Sequence, residues 1–272
     1  MSDSASNDEA QLSNGADSRR ARCLVEYHGG AFAGWQVQPD LATVQGALEQ
    51  ALATATGRPC RVEGAGRTDS GVHASGQVAA FDVAADTDLY RLQGKLNGLT
   101  PRAMSLRDLR DAHAGFDPRR EATGRLYRYT LVAGRPDSPL QADRAWHVVP
   151  GLDLELLSRL AAMLEGTHDF AAFRSSDCGS ESTMRRIFSS SWSEEAGLFK
   201  YEVRGNAFLR NMVRVMVGSM VDTALGDMEV AEFERLLEHG DRVRAGRTAP
   251  SRGLELVTVD YDGQRIHQLA GR

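Results

Sequence analysis

The stretch GAGRTDSGVH, residues 64–73, holds a single carboxylate among small residues. Asp69 is its only acid, and Arg67 stands two residues before it. A guanidinium within a few ångströms lowers the pKa of an aspartate by about 1–3 units and keeps it ionised in a dry pocket. Such a carboxylate is a candidate nucleophile that requires neither a metal nor a cofactor. Three glycines are expected to let a bulky ligand approach the backbone of this stretch: Gly64, Gly66 and Gly71.

Spacing excludes several better-known motifs. A dinucleotide fingerprint requires a glycine three positions after Gly66, where Asp69 stands instead. The stretch has no Gly-Lys-Ser or Gly-Lys-Thr of a P-loop, and Ser70 lacks the flanking glycines of a serine-hydrolase elbow. Asp69 and His73 have no third metal ligand nearby, and a glycosidase needs a second carboxylic acid. The simplest interpretation, that Asp69 only caps a turn, leaves Arg67 and the clustered glycines unexplained.

The elements around this stretch occur in the same order in two halves of the chain. In residues 21–115, strand patterns and amphipathic helices follow the order βαββαβ. Residues 116–265 repeat that order, with a hairpin turn at 196–197 and a long apolar helix over 207–226. The pattern predicts an α+β fold of two βαββαβ (ferredoxin-like) halves with mainly antiparallel sheets. Such sheets lie side by side or pack together around a shared cleft, and the pattern is compatible with both.

Composition favours a cytoplasmic location and leaves the partner open. Residues 1–20 are predicted to form a disordered acidic tail, because the first 18 are polar, lack aromatics and carry four acids but no basic residue. No apolar run is long enough to cross a bilayer and no signal pattern precedes the body, so we expect no membrane partner. Three scattered cysteines favour buried thiols over disulfides or zinc. Arginine supplies nearly all of the basic charge, which suits bidentate contacts with phosphates.

The sequence resembles the tRNA pseudouridine synthase A family over nearly the whole chain after the tail. The similarity is carried by GAGRTDSGVHASGQVAAF and, in the expected order, by YHGGAFAGWQVQ, VQGALEQAL, GRLYRYTLV, GTHDFAAFR, NAFLRNMVRVMVGSM and RAGRTAPSRGLEL. Two features depart from the family pattern: Gly115 stands where an arginine is expected, and the acidic tail is extra. The resemblance implies the pseudouridine synthase fold, with its two halves around a central catalytic cleft.

The resemblance also implies a reaction and a partner. The family isomerises uridine to pseudouridine in the anticodon arm of tRNA, at positions 38, 39 and 40, without a cofactor. A homodimer is expected, in which both subunits contact one tRNA and the half 116–265 supplies the dimer contacts.

Four residues acquire roles from the resemblance. Asp69 matches the catalytic aspartate, and Arg214 matches the arginine that pairs with it. Tyr127 matches the tyrosine that stacks on the substrate base, a contact worth about 1–3 kcal/mol, and its phenol is a candidate to assist removal of the C5 proton. Arg67 is expected to intercalate, to fill the space of the flipped base, or to bind phosphate. Attack by Asp69 on C1′ of the ribose, attack on C6 of the uracil and a glycal route all remain open.

Neighbouring residues have simpler interpretations. Tyr129 is expected in the core, His73 in an orienting role, and Arg210 at an exposed or phosphate-facing position. Eight more arginines are candidates for a basic lining that binds tRNA: Arg58, Arg61, Arg119, Arg120, Arg125, Arg128, Arg185 and Arg186.

Two other classes of function compete with the isomerase. A non-catalytic RNA-binding or RNA-folding protein on the same scaffold has no need of an ionised Asp69 in its pocket. A sugar- or nucleoside-processing hydrolase would release a free base and leave an abasic site, and it is disfavoured by the missing second acid.

Overall fold

The computed structural model describes residues 18–134, 138–176, 178–261 and 264–265. Within these residues, eleven strands form one sheet and five α-helices accompany it. The strands are β1 (Ser18–Tyr27), β2 (Glu63–Gly64), β3 (His73–Ala84), β4 (Met104–Asp111), β5 (Ala122–Ala133), β6 (Trp146–Val148), β7 (Gly166–Asp169), β8 (Met184–Glu195), β9 (Leu198–Gly205), β10 (Leu254–Tyr261) and β11 (Gln264–Arg265). The helices are α1 (Val44–Thr56), α2 (Leu89–Leu99), α3 (Leu154–Met163), α4 (Met212–Ala224) and α5 (Val230–His239).

The two halves of the chain share one continuous sheet. Its strand order is β4-β1-β3-β10-β5-β9-β8-β7, and β2, β6 and β11 pair with β3, β5 and β10. Most neighbours are antiparallel, whereas β3 and β10 run parallel at the centre, where Glu255 lies opposite His73. The predicted mainly antiparallel α+β architecture is confirmed, and of the two arrangements left open the sheets lie side by side.

The predicted element order is complete in the first half and extended in the second. The first half runs β1-α1-β2-β3-α2-β4, and the second adds the short strands β6, β7 and β11. The predicted hairpin joins β8 to β9, with φ values of +51° at Ala196 and +80° at Gly197, as a two-residue type I′ turn requires. None of the helices in the described residues combines the length and apolar character needed to cross a bilayer.

The last three residues of the predicted disordered tail belong to a strand of the sheet. Residues 18–20 belong to β1, where Arg19 pairs with Asp111 and Arg20 pairs with Glu63. Cross-strand pairing therefore orders the two arginines that close the predicted tail. The remaining residues of the tail, 1–17, lie outside the described residues.

The long apolar helix begins later than predicted, at Met212 instead of residue 207. Asn211 precedes it in a left-handed conformation, with φ of +62°. Its side chain does not cap the helix, because Oδ1 accepts a hydrogen bond from Nη1 of Arg214 at 2.8 Å. Residues 207–210 consequently form a loop at the start of α4.

The parallel pair at the centre brings two segments to one edge of the sheet. Residues 65–72, named here the Asp69 loop, end where β3 begins, and residues 247–253 end where β10 begins. Parallel neighbours start at the same edge, so the two segments meet. His73 joins them, since its Nε2 lies 3.0 Å from the carbonyl oxygen of Arg252.

The end of β1 and the segment that follows it hold the Asp69 loop from its other side. Trp35 donates its backbone N–H to the Thr68 carbonyl at 3.1 Å, and the hydroxyls of Tyr27 and Thr68 are 2.7 Å apart. Gly34 has φ of +102°, and a Cβ there would lie 2.8 Å from the Thr68 carbonyl oxygen. The loop therefore docks directly on backbone, with no space for a side chain.

Replacing Gly34 should therefore lower the free energy of unfolding by more than the strain of its left-handed backbone conformation accounts for. Gly57 is the matched control, because its φ is +77° and no heavy atom lies within 4 Å of an added Cβ. We expect Gly57→Ala to lower the free energy of unfolding by about 1–2 kcal/mol through left-handed strain, and Gly34→Ala to lower it further. Urea denaturation measures both values, and equal losses would contradict the docking.

Candidate active site

Asp69 lies between two arginines at the entrance to β3. Its carbonyl accepts a hydrogen bond from Val72 N at 3.1 Å, which closes the turn. Nη1 of Arg214 is 3.9 Å from Oδ2, and Nε of Arg210 is 3.8 Å from Oδ1. Both distances are those of ion pairs that lack a direct hydrogen bond. The carboxylate, 28% exposed, thus faces one cation on each oxygen.

The peptide backbone anchors Arg214. Its Nε donates to the Ala249 carbonyl at 2.7 Å and its Nη1 to Asn211 Oδ1 at 2.8 Å. Ala249 N donates in return to the Arg214 carbonyl at 3.1 Å. Burial lowers the pKa of the guanidinium, and the Asp69 carboxylate opposes that shift. The partner expected for this charge in an apolar helix is therefore present.

Arg210 lies closer to the acid than its predicted exposed position suggested. Its side chain is 54% exposed, yet its Nε reaches Asp69. The loop that carries it is fixed by a hydrogen bond from Ser175 N to the Arg210 carbonyl at 2.9 Å. Since α4 begins only at Met212, Arg210 projects from that loop and not from the helix.

Tyr127 stands on β5 and faces the Asp69 loop. A Cβ on Gly66 would lie 3.8 Å from the Tyr127 hydroxyl. The rings of Tyr127 and Phe208 pack edge to face, with a centroid distance of 5.1 Å. Burial raises the pKa of Tyr127 to about 12, with Arg125 opposing the shift and Asp69 adding to it. The phenol is therefore neutral at pH 7.

Tyr129 belongs to the core, as predicted. It lies on the same face of β5 as Tyr127, because the side chains of a strand alternate with a period of two, and it is fully buried. Its hydroxyl donates to the Pro250 carbonyl at 2.7 Å. Tyr129 therefore supports the segment that anchors Arg214.

The expectation that three glycines open the loop to a ligand is wrong for two of them. A Cβ on Gly64 would lie 2.5 Å from the Trp35 ring, and one on Gly71 would overlap Ser251 Oγ. Only Gly66 faces the space in front of Tyr127. Two of the glycines serve close packing inside the protein, and one borders the candidate pocket.

Arg125 was a candidate for the tRNA-binding lining, and the structure places it inside the protein instead. It is buried and donates to four backbone carbonyls, those of Ala65, Arg119, Asn206 and Ala122, at 3.0, 3.0, 2.7 and 3.5 Å. Ala65 belongs to the Asp69 loop, and Asn206 precedes the loop of Phe208. One guanidinium therefore ties together the two loops that border the acid.

Of the other predicted lining residues, Arg128 and Arg185 are half-buried and the rest are exposed. Arg128 bonds to Glu202 at 2.7 Å, and Arg185 donates to the Met184 carbonyl at 2.7 Å. Five remain exposed: Arg58, Arg61, Arg119, Arg120 and Arg186.

His73, Arg67 and Gly115 have clear placements. His73 Nδ1 accepts from Gly29 N at 3.1 Å, and its Nε2 lies 3.0 Å from the carbonyl oxygen of Asp143, so the neutral ring carries its proton on Nε2. Burial and the neighbouring His28 lower the pKa of His73. Arg67 is exposed on the Asp69 loop, and Gly115 lies in a turn with φ of +77°.

Sequence reasoning did not identify Phe208 or the contact between Arg210 and Asp69. Phe208 and Arg210 belong to the apolar run that predicts a longer helix. In such a helix, Arg210 and Arg214 would lie one above the other. Asn211 is the available signal, because asparagine tolerates the left-handed conformation that ends such a run.

The site holds one carboxylate between arginines and beside a buried tyrosine, on a mostly antiparallel sheet. This arrangement fits the class of enzymes that rearrange a nucleoside through one acid. Residues 160–262 match the sequence profile of the family described as tRNA pseudouridine synthase. No group of three or more potential metal ligands occurs among the described residues.

Similar proteins of known name identify the family more closely. The chain is 40% identical to tRNA pseudouridine synthase A of Geotalea uraniireducens (strain Rf4) over 243 residues, which cover 89% of this chain and 100% of the relative. At the same coverage it is 39% identical to the tRNA pseudouridine synthase A of Geobacter sulfurreducens and 38% identical to that of Acetivibrio thermocellus. The chain therefore belongs to the tRNA pseudouridine synthase A family and is an isomerase.

Arg125 provides a test of how the site is assembled. We expect Arg125→Ala to lower the free energy of unfolding by about 2–3 kcal/mol, because it removes charged hydrogen bonds from buried carbonyls. Turnover should fall as the two loops separate, while the salt dependence of tRNA affinity stays that of wild type. Arg58→Ala is the exposed control and should change stability by less than about 0.5 kcal/mol. A weaker salt dependence in Arg125→Ala would instead indicate a phosphate contact.

Tyr127 provides a test by pH. With a pKa of about 12, only about one phenol in 10⁵ is ionised at pH 7, so we expect the neutral form to act. Single-turnover rates of wild type and Tyr127→Phe should then share one pH profile between about pH 7 and 9. A wild-type rate that rises tenfold per pH unit, and does so only with tyrosine present, would show a phenolate base.

Proposed function

We propose that this chain isomerises uridine to pseudouridine in the anticodon stem-loop of tRNA, at positions 38, 39 and 40, with Asp69 as its catalytic carboxylate and no cofactor. The observation that carries the proposal is the Asp69 carboxylate between Arg210 and Arg214, in front of Tyr127. Membership of the tRNA pseudouridine synthase A family supports tRNA as the substrate.

The reaction balances with one acid. The N1–C1′ bond of uridine breaks, the base turns, and C5 bonds to C1′. The hydrogen on C5 leaves as a proton and N1 gains one, so no oxidant, reductant or energy source takes part. Attack at C1′, attack at C6 and the glycal route each begin with an ionised carboxylate, and Arg214 stabilises that form of Asp69.

The remaining site residues receive roles in handling the base. A target base must leave its stack at a cost of a few kcal/mol. Stacking on Tyr127 offsets about 1–3 kcal/mol of this cost. Gly66 borders the same space without a side chain, which leaves room for the nucleotide. We assign to Arg67, exposed on the loop, the space vacated by the base or an adjacent phosphate.

Asp69→Asn tests the chemistry with little change of shape. Wild type should release tritium from C5-labelled uridine in unmodified tRNA, and the variant should release none while still binding tRNA. Asp86→Asn is a control at an exposed position beyond the opposite end of β3, and its rate should match wild type. Release that survives in Asp69→Asn would assign the chemistry to another carboxylate.

Product analysis separates the competing functions. Binding without release by wild type would move the chain to the RNA-binding or RNA-folding class. Free uracil and an abasic site would identify a hydrolase.

We further propose a homodimer in which both subunits contact one tRNA and the half 116–265 supplies the dimer contacts, as the resemblance implies. Light scattering at working concentration should give twice the mass of the chain, and a monomeric mass would contradict the dimer. The tRNA substrate supports a cytoplasmic location.

A further inference from the structure

The two arginines at Asp69 differ in how they are held. Arg214 is 18% exposed, and the Ala249 carbonyl and Asn211 Oδ1 fix its guanidinium. Arg210 is 54% exposed and projects from the loop before α4. Burial and two hydrogen bonds keep Arg214 in place, whereas solvent weakens the ion pair between exposed Arg210 and Asp69, so that this pair is exchanged at low cost.

Arg210 lies beside Oδ1 of Asp69, on the loop that also borders Tyr127. Its Nε lies 3.8 Å from Oδ1, while Arg214 lies near the other oxygen. The loop that carries Arg210 also carries Phe208, whose ring packs edge to face with that of Tyr127. A nucleotide stacked on Tyr127 therefore arrives beside Arg210, and Arg210 must leave Oδ1 before that oxygen reaches an atom of the nucleotide.

The substrate carries one kind of anion that can replace the carboxylate. Uracil and ribose are neutral, and the target nucleotide has a phosphodiester on each side. A guanidinium binds phosphate oxygens as readily as carboxylate oxygens, through paired N–H donors. An adjacent phosphodiester is thus the chemically matched new partner for Arg210.

We propose that Arg210 exchanges its ion pair with Asp69 for one with a phosphodiester that flanks the target uridine. The exchange uncovers Oδ1 only when tRNA is in place. It also removes one of the two cations beside the carboxylate, which makes Asp69 more basic and more nucleophilic. Arg214 remains to keep the acid ionised. This inference rests on the proposed function, because it takes the target nucleotide to be a uridine of tRNA.

Neutral phosphates test the exchange directly. tRNA without nucleoside modifications is prepared with a methylphosphonate in place of the phosphodiester on the 5′ or the 3′ side of the target uridine. Dissociation constants are measured by filter binding at fixed salt. We expect one of the two substitutions to weaken wild-type binding by about 10-fold or more, the effect of losing a charge-assisted hydrogen bond. In Arg210→Ala the same substitution should change the constant by less than about 2-fold.

Arg67→Ala tests whether this phosphate is held by Arg67 instead, because Arg67 is an exposed arginine on the Asp69 loop itself. The methylphosphonate should still weaken binding about 10-fold in this variant. An effect that disappears in Arg67→Ala and persists in Arg210→Ala would assign the phosphate to Arg67 and overturn the exchange. An equal effect in wild type and in Arg210→Ala would overturn it as well.

Competition between Asp69 and the phosphate gives a second test. Asp69→Asn removes the carboxylate charge that competes with the phosphate for Arg210, so tRNA should bind more tightly. In the Arg210→Ala background the same change should have no effect on affinity. Equal tightening in both backgrounds would show a general effect of charge and overturn the exchange.

Nucleoside analysis of the unmodified tRNA separates this inference from the proposed function. Failure of wild type to form pseudouridine would overturn the proposed function. Normal pseudouridine formation, together with methylphosphonate effects that do not depend on Arg210, would overturn only the exchange.

Discussion

The parallel pairing of β3 with β10 at the centre of the sheet is the constraint on which the rest of the site depends. Parallel neighbours begin at one edge, so the Asp69 loop before β3 and the segment before β10 are forced together. That segment provides the carbonyl of Ala249 that anchors Arg214. The acid and its partly buried cation, at positions 69 and 214 of the chain, meet because two strands run in the same direction.

Arginine takes three different positions around this acid, and burial distinguishes them. Arg125 is enclosed and satisfies only backbone carbonyls, so its charge ties the two loops that border the acid. Arg214 is partly buried between backbone and carboxylate, and Arg210 is open to solvent. The guanidinium suits all three positions because it stays charged when buried and offers five donors in a plane.

Regular secondary structure gives way where the site requires it. Asn211 adopts a left-handed conformation and uses its side chain for Arg214 instead of capping α4. Gly34 also has a positive φ and lets the Asp69 loop rest on backbone. Departures from local rules concentrate at functional sites because the surrounding structure holds them in place. The left-handed conformation of Asn211 shortens α4 and leaves residues 207–210 to form the loop beside Tyr127.

The order of the longer strands and helices and the hairpin turn at 196–197 follow from the sequence alone. These features depend on neighbours within a few residues, where periodicity and turn chemistry act. Only the tertiary structure decided that Arg125 is buried, that Gly64 and Gly71 pack against Trp35 and Ser251, and that Arg210 reaches Asp69. Most of these contacts join segments that are distant in the chain, and the contact between Gly64 and Trp35 joins segments at an intermediate separation. Such contacts are set by how the sheet is assembled, which local patterns do not encode.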